Sequence, residues 1–137
     1  MMKRLFLLLL FILPTSLLAV PAVYRGCYDG DTCRFDIPGI GKYQSVRLLG
    51  VDTPEKKARC LKEQFLANQA AAFTNQLLKT ANKITLAPKG RDKYGRLLAW
   101  VDFDGLDLST LLIEQGLGRS YSGGRRASWC KASEVQP

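Results

Sequence analysis

The chain has 137 residues, of which 47% are hydrophobic, so it is long enough for one small domain and too short for a second. It contains no histidine, which excludes Ser-His-Asp triads, histidine pairs that cleave RNA, histidine-metal nucleases and most catalytic zinc sites. The formal net charge of +8 suggests a polyanionic partner, either a nucleic acid or an anionic surface.

The N-terminal segment has the composition of a secretory signal peptide. Two basic residues precede an apolar run over residues 5–13, and small residues follow at Ala19 and Ala22, an order typical of a leader that is cleaved on export. We expect residues 1–19 to be the leader, with cleavage after Ala19 or Ala22, and residues 20–137 to be the domain. The mature protein would then be periplasmic or secreted, without a stable membrane anchor; an uncleaved N-terminal anchor is the alternative.

A hairpin of two short strands opens the predicted domain. The segments PAVYRGCYDG and DTCRFDIPG, residues 21–30 and 31–39, meet at Asp29-Gly30, which is a strong hairpin signal. The next segment, KYQSVRLLGV at residues 42–51, alternates well enough for a third strand.

Later segments complete a mainly β pattern with helices. A long helix is indicated by Leu66, Ala70, Phe73 and Leu77, which recur at helical spacing. This helix is predicted over residues 63–80. Two strands separated by a turn follow at residues 82–88 and 96–103, and then a short helix at residues 107–116, ending at Gly116. Five short strands with two or three helices favour a small barrel of the OB-fold type.

The four cysteines form an even set, which in an exported protein favours two disulfides. If the first two strands are a hairpin, Cys27 faces Cys33 across it, and Cys60 is left for Cys130. A zinc site is the competing interpretation, but the chain has no C-x-x-C pair and no histidine.

Carboxylates cluster at two turns. DGDT places Asp29 and Asp31 in the hairpin turn, and VDTPE places Asp52 and Glu55 at a strand end, where Pro54 forces the chain out of the sheet. Oxygen ligands of this kind suit a hard cation, Ca²⁺ before Mg²⁺. Taken alone, DGDT is better explained as an ordinary hairpin turn, and Asp52 is equally plausible as a loop carboxylate.

Two arginines add a second chemical signal. Arg47 lies five positions before Asp52, on the strand face opposite Val46 and Leu48, and Arg96 directly follows the turn DKYG. A phosphodiester under hydrolysis develops negative charge on its non-bridging oxygens, and two guanidinium groups with a divalent cation would neutralise it.

The motifs DGDT, VRLLGVDTPE and DKYGRLLAWV, in this order and spacing, resemble the staphylococcal nuclease (thermonuclease) family. The resemblance covers about residues 23–121 and is specific as a combination. It implies a five-stranded OB-fold barrel and a Ca²⁺-dependent endonuclease that acts on DNA and RNA and leaves 3′-phosphate ends. No obligatory protein partner is evident, and we expect a monomer.

The resemblance also implies a metal site. Asp31 and Asp52 match direct calcium ligands, and Thr53 matches the position that gives its backbone carbonyl. Asp29 matches an acid that lies beside these ligands.

The same resemblance implies the catalytic and substrate-binding residues. Glu55 matches the carboxylate placed to accept a proton from the attacking water, and Arg47 and Arg96 match the arginines that hold the scissile phosphate. Lys93 and Tyr94 match positions that contact a neighbouring phosphate.

The sequence also departs from the staphylococcal type. It has four cysteines that the staphylococcal type lacks, and Cys60 with the ending GGRRASWC is similar to a variant among related bacterial proteins, which supports a link from Cys60 to Cys130. The register near Tyr121 leaves open whether this residue is the base-stacking tyrosine of the family. Two alternatives to an active nuclease are a catalytically silent OB-fold nucleic-acid-binding protein and a basic surface-binding module.

Overall fold

A computed structural model describes residues 18–134 as a mainly β fold with two α-helices. Its longer strands are β2 (Val23–Asp29), β3 (Thr32–Ile37), β4 (Gly41–Leu48), β6 (Ile84–Arg91) and β7 (Leu97–Phe103); the shorter strands are β1 (Val20–Pro21), β5 (Gly50–Asp52), β8 (Leu106–Asp107) and β9 (Arg119–Tyr121). The helices are α1 (Leu61–Thr80), α2 (Leu108–Glu114) and a final 3₁₀ turn over Ala132–Glu134. Most of the predicted signal peptide lies outside the described residues.

The main sheet runs in the order β1-β6-β7-β4-β3-β2 and curls into a half barrel. Its pairs are antiparallel except for β4 with β7, which are parallel. Strand β8 pairs with β7, while β5 and β9 form a separate antiparallel pair. The five long strands correspond to the five predicted ones, so the OB-fold prediction is confirmed.

The core lies between the curled sheet and the two helices. Alternate residues of β3 and β7 point inward, as expected for a sheet with one buried face, whereas the last three residues of β4 are all buried. The fully buried larger apolar side chains of the core are Phe35, Ile37, Val46, Leu48, Val51, Leu78, Leu86, Val101, Leu108 and Leu112.

Helix α1 buries a slightly different face from the predicted stripe. Ala70 is buried as expected, but Leu66, Phe73 and Leu77 are only half-buried. The buried face instead includes Thr74, whose hydroxyl donates to the Gly30 carbonyl at 2.8 Å. A small, partly polar stripe lets the helix approach the hairpin turn closely; the Cβ of an alanine at position 30 would lie 2.8 Å from the Ala70 Cβ.

Both predicted disulfides are present. Cys27 and Cys33 are register partners on β2 and β3, and Cys60 bonds to Cys130 near the end of the chain. Among the described cysteines none is free, so the zinc interpretation is excluded for them. Between residues 18 and 134, no helix is long and apolar enough to cross a membrane.

Candidate active site

A cleft of about 1060 Å³ opens at the end of the sheet where the predicted motifs meet. The hairpin turn, the β4–β5 connection, the β6–β7 turn and the segment after β9 form its walls. Of the predicted site residues, those lining it are Asp29, Asp31, Arg47, Glu55, Lys93, Tyr94 and Arg96. Asp52 and Thr53 line the adjoining depression, which also includes Glu55.

Two carboxylates meet at the floor of the site. Asp31 and Asp52 are only 5% and 4% exposed, although Asp31 lies in the hairpin turn and Asp52 at the end of β5. Asp31 Oδ2 accepts a 2.9 Å hydrogen bond from the Thr53 backbone N–H, which ties the hairpin turn to the end of β5. The fold therefore brings together the two acids predicted as metal ligands.

Arg47 bridges these acids. Its Nη1 lies 3.2 Å from Asp31 Oδ2, and its Nη2 lies 3.5 Å from Asp52 Oδ1. Nη1 also donates to the Leu48 and Val51 carbonyls at 2.7 and 2.9 Å. These contacts fix the guanidinium group in one orientation at the cleft wall, which is the preorganisation that charge stabilisation requires.

The electrostatics of the floor favour a bound cation. Burial raises the pKa of Asp52, and the nearby Asp31 carboxylate raises it further, while Arg126 and Arg47 oppose the increase. Burial likewise raises the pKa of Asp29, which accepts a 3.0 Å hydrogen bond from the Lys56 backbone N–H. Added positive charge would stabilise the ionised form of these acids.

The donor set fits a hard cation. Thr53 is buried, and within the described part of the chain its Oγ1 has no hydrogen-bond partner. Thr53 directly follows Asp52, and its backbone N–H donates to Asp31. Its unpartnered hydroxyl adds a further oxygen donor to the two carboxylates, and Ca²⁺ prefers a set of oxygen ligands of this kind. The residues present at positions 31, 52 and 53 therefore suit the cation that the sequence predicts.

Glu55 is closer to solvent than the two buried acids, and 42% of its side chain is exposed. It follows Pro54 in the loop after β5 and reaches the cleft. A partly solvated carboxylate in this place can accept a proton from a water molecule.

Arg96 lines the cleft next to the β6–β7 turn, where Asp92 holds it in place. Its Nε donates to Asp92 Oδ2 at 2.7 Å, and Asp92 Oδ1 accepts from the backbone N–H groups of Tyr94 and Arg96. Burial opposes ionisation of Asp92, but these hydrogen bonds outweigh it and lower its pKa. Asp92 thus shapes the turn and orients Arg96 beside the cleft.

Lys93 and Tyr94 lie at the tip of the same turn. The Tyr94 ring is largely exposed, with Lys93 Nζ and Arg96 Cζ at 5.1 and 5.6 Å from its centre. This cluster offers positive charge and an aromatic face at the cleft mouth, a combination that binds nucleic-acid strands.

Sequence reasoning gave no role to Arg126, which the structure places in the cleft. Its guanidinium group contacts Glu55 and lies 3.4 Å from Asp52 Oδ1. The predicted disulfide at Cys130 was the one signal that could have brought this segment toward the site. Tyr121 also lines the cleft, with its ring 5.8 Å from Arg47 Cζ and its hydroxyl donating to the Gly124 carbonyl.

Comparison with known proteins gives a consistent result. The family model described as staphylococcal nuclease homologue matches residues 45–134. The chain is 41% identical over 95 residues to Endonuclease YncB of Bacillus subtilis (strain 168), which covers 66% of this chain and 43% of that protein. It is 36% identical over 94 residues to Thermonuclease of Staphylococcus hyicus, covering 67% and 54%. The chain thus spans about half the length of these curated relatives.

Proposed function

Since the chain belongs to the staphylococcal nuclease family, we propose that it is an endonuclease that hydrolyses phosphodiester bonds of DNA and RNA, depends on Ca²⁺ and leaves 3′-phosphate ends. The observation that carries this proposal is the convergence of acids and arginines in one cleft. Buried Asp31 and Asp52 lie within 3.5 Å of the Arg47 guanidinium group, and Glu55 and Arg96 line the same cleft.

In this proposal Asp31, Asp52 and the Thr53 carbonyl would hold Ca²⁺. When bound, the cation supplies positive charge that stabilises the negative charge developing on the phosphate oxygens. The chain contributes the two carboxylates and keeps them close together through the Thr53–Asp31 hydrogen bond.

As the oxygen of the attacking water bonds to phosphorus, Glu55 accepts the proton that this water loses. The bond from phosphorus to the 5′ oxygen breaks, so the phosphate stays on the 3′ side, and the departing oxygen takes a proton from solvent. Arg47 and Arg96 contact the non-bridging oxygens, where their charge is worth most as the transition state forms.

Lys93 and Tyr94 bind a phosphate next to the scissile one. Their exposure at the tip of the β6–β7 turn leaves them accessible to a strand that enters the cleft. The formal net charge of the full chain is +8 and stays strongly positive without Lys3 and Arg4 of the predicted leader, which supports attraction of a polyanion over a longer range.

A catalytically silent nucleic-acid-binding protein is the second candidate. The contact between Arg126 and Glu55 favours it, because the guanidinium group engages a carboxylate oxygen that would otherwise be open to a water molecule.

Export to the periplasm or the medium belongs to the same proposal. The signal-like segment supports it, and so do the two disulfides, since disulfides persist in oxidising compartments.

The deciding experiment incubates the oxidised protein with plasmid DNA and with RNA, in Ca²⁺, in Mg²⁺ and in a chelator. We expect Ca²⁺-dependent loss of both substrates with 3′-phosphate ends. An Asp31→Asn protein purified in the same way controls for contaminating nucleases and should be nearly inactive. Tight binding without cleavage in every condition would instead favour the silent binding protein.

A further inference from the structure

Arg126 occupies the upper part of the acidic site. Its Nη1 contacts Glu55 Oε1 and lies 3.4 Å from Asp52 Oδ1. The Arg126 and Glu55 side chains are 46% and 42% exposed, whereas Asp52 is buried. Arg126 therefore links the buried floor of the site to its solvent-facing mouth.

The segment that carries Arg126 is anchored on its C-terminal side. We define residues 122–130 as the C-terminal strap. Cys130 is bonded to Cys60, and buried Trp129 stacks against Arg119, whose Cζ lies 3.8 Å from the ring centre. Arg119 Nη1 also donates to the Ser128 carbonyl at 2.8 Å. These contacts hold the strap against the domain within four residues of Arg126.

The strap is also fixed on its N-terminal side. The Tyr121 hydroxyl donates to the Gly124 carbonyl at 2.7 Å, and Gly123 and Gly124 have φ of +106° and +82°. Positive φ at two successive glycines makes a tight turn that other residues resist. The turn directs the chain back toward Glu55.

The charges in the cleft give Arg126 a distinct role. Arg47 already offsets part of the negative charge of the floor by contacting Asp31 and Asp52, and Arg96 is paired with Asp92. Arg126 is the cation that contacts Glu55 among the described residues. Any positive ion held by Asp52 near Glu55 competes with this guanidinium group, and the anchored strap keeps a displaced Arg126 at the cleft mouth.

We propose that Arg126 is a substrate-binding residue that pairs with Glu55 and Asp52 in the free protein and moves to a phosphate of the nucleic acid when the site is loaded. This inference rests on the proposed function and deepens it. It makes Arg126 both an internal competitor of the divalent cation and a ligand of the substrate.

The test measures two affinities that should change in opposite directions. Titration calorimetry with CaCl₂ alone on the oxidised Arg126→Ala protein is expected to show several-fold tighter binding than wild type. Fluorescence anisotropy with a phosphorothioate oligonucleotide in Ca²⁺ is expected to show about tenfold weaker binding, because one charged contact to a phosphate is lost.

Arg125→Ala is the matched control, because it removes the same charge one residue away and lies outside the proposed machinery. Its two affinities should stay near wild type, and thermal unfolding should show that both variants are folded. Equal affinities in the two variants, weaker Ca²⁺ binding by Arg126→Ala, or no Ca²⁺ binding by any of the proteins would overturn the inference.

The outcome separates this inference from the proposed function. If wild type cleaves DNA with Ca²⁺ but the two variants bind alike, only the role of Arg126 fails. If the opposite shifts appear but no protein cleaves under any condition, the role of Arg126 stands and the catalytic proposal fails.

Discussion

Thr53 and Thr74 are both buried threonines near the hairpin turn, but their hydroxyl groups differ. Thr74 Oγ1 donates to the Gly30 carbonyl at 2.8 Å, whereas Thr53 Oγ1 has no hydrogen-bond partner in the described region. An unpaired buried hydroxyl group lowers the free energy of unfolding, so its presence in a folded protein calls for an explanation, such as a role in binding. The pair therefore allows a direct comparison.

We predict that Thr53→Val leaves the free energy of unfolding unchanged or raises it by about 1 kcal/mol, because it removes an unpaired polar atom. Thr74→Val should lower the same quantity by about 1–3 kcal/mol, because it deletes a formed hydrogen bond. Urea unfolding in a chelator measures both. A larger loss for Thr53→Val than for Thr74→Val would show that the hydroxyl of Thr53 is already used within the folded chain.

At the scale of elements, the junction between β4 and β5 aligns the site. Arg47 lies near the end of β4 and Asp52 at the end of β5, and Gly50 begins the second strand with φ of +84°. A Cβ at this position would lie 2.3 Å from Trp100 Cζ3. The strand break thus requires a glycine for both its backbone angle and its packing.

We predict that Gly50→Ala is more destabilising than Gly105→Ala. Gly105 has a similar φ of +81°, but a Cβ there meets nothing within 4 Å. Both variants should lose about 1–2 kcal/mol to the unfavourable backbone angle, and Gly50→Ala should lose at least about 1 kcal/mol more through the clash. Urea unfolding compares them, and equal losses would mean that the Trp100 ring moves aside freely.

At the scale of the whole molecule, local sequence patterns predicted much of the architecture. Alternation and the turn residues located the five long strands, because these signals depend on neighbours in the chain. Strand β1 was not predicted as a separate strand: Pro21 was assigned to the first strand of the hairpin, whereas Val20 and Pro21 pair with Leu86 and Thr85 of β6. The buried face of α1 also differs from the predicted stripe, because the hairpin turn that α1 contacts is distant from it in sequence.

The residues of the site show the same distinction between what local motifs identify and what only the fold identifies. The motifs located Asp31, Arg47, Asp52, Glu55 and Arg96, and the fold brings them to one cleft with its adjoining depression. Arg126 could not be assigned from the sequence, because it lies 71 residues from Glu55 and reaches it through a strap fixed by a disulfide and a tryptophan.

Strand β1 also bears on where the predicted signal peptide would be cleaved. Cleavage after Ala19 would keep Val20 and Pro21 paired with β6, whereas cleavage after Ala22 would discard this pairing. We predict that the full chain, expressed in a bacterial host and recovered from the periplasm or medium, begins at Val20 and carries two disulfides. Intact mass measured with and without a reductant checks both points, and a chain that begins at Val23 would contradict the first.

The most direct test of the account is the turnover of Glu55→Gln on DNA at saturating Ca²⁺, compared with Glu114→Gln. Glu114 is an exposed carboxylate at the end of α2 and is not among the residues lining the cleft. We predict that Glu55→Gln lowers kcat by about 10²–10⁴-fold with the fold intact, because one positioned proton acceptor is lost. Glu114→Gln should match wild type. A Glu55→Gln protein that turns over within a few-fold of wild type would contradict the assignment of Glu55 and the mechanism built on it.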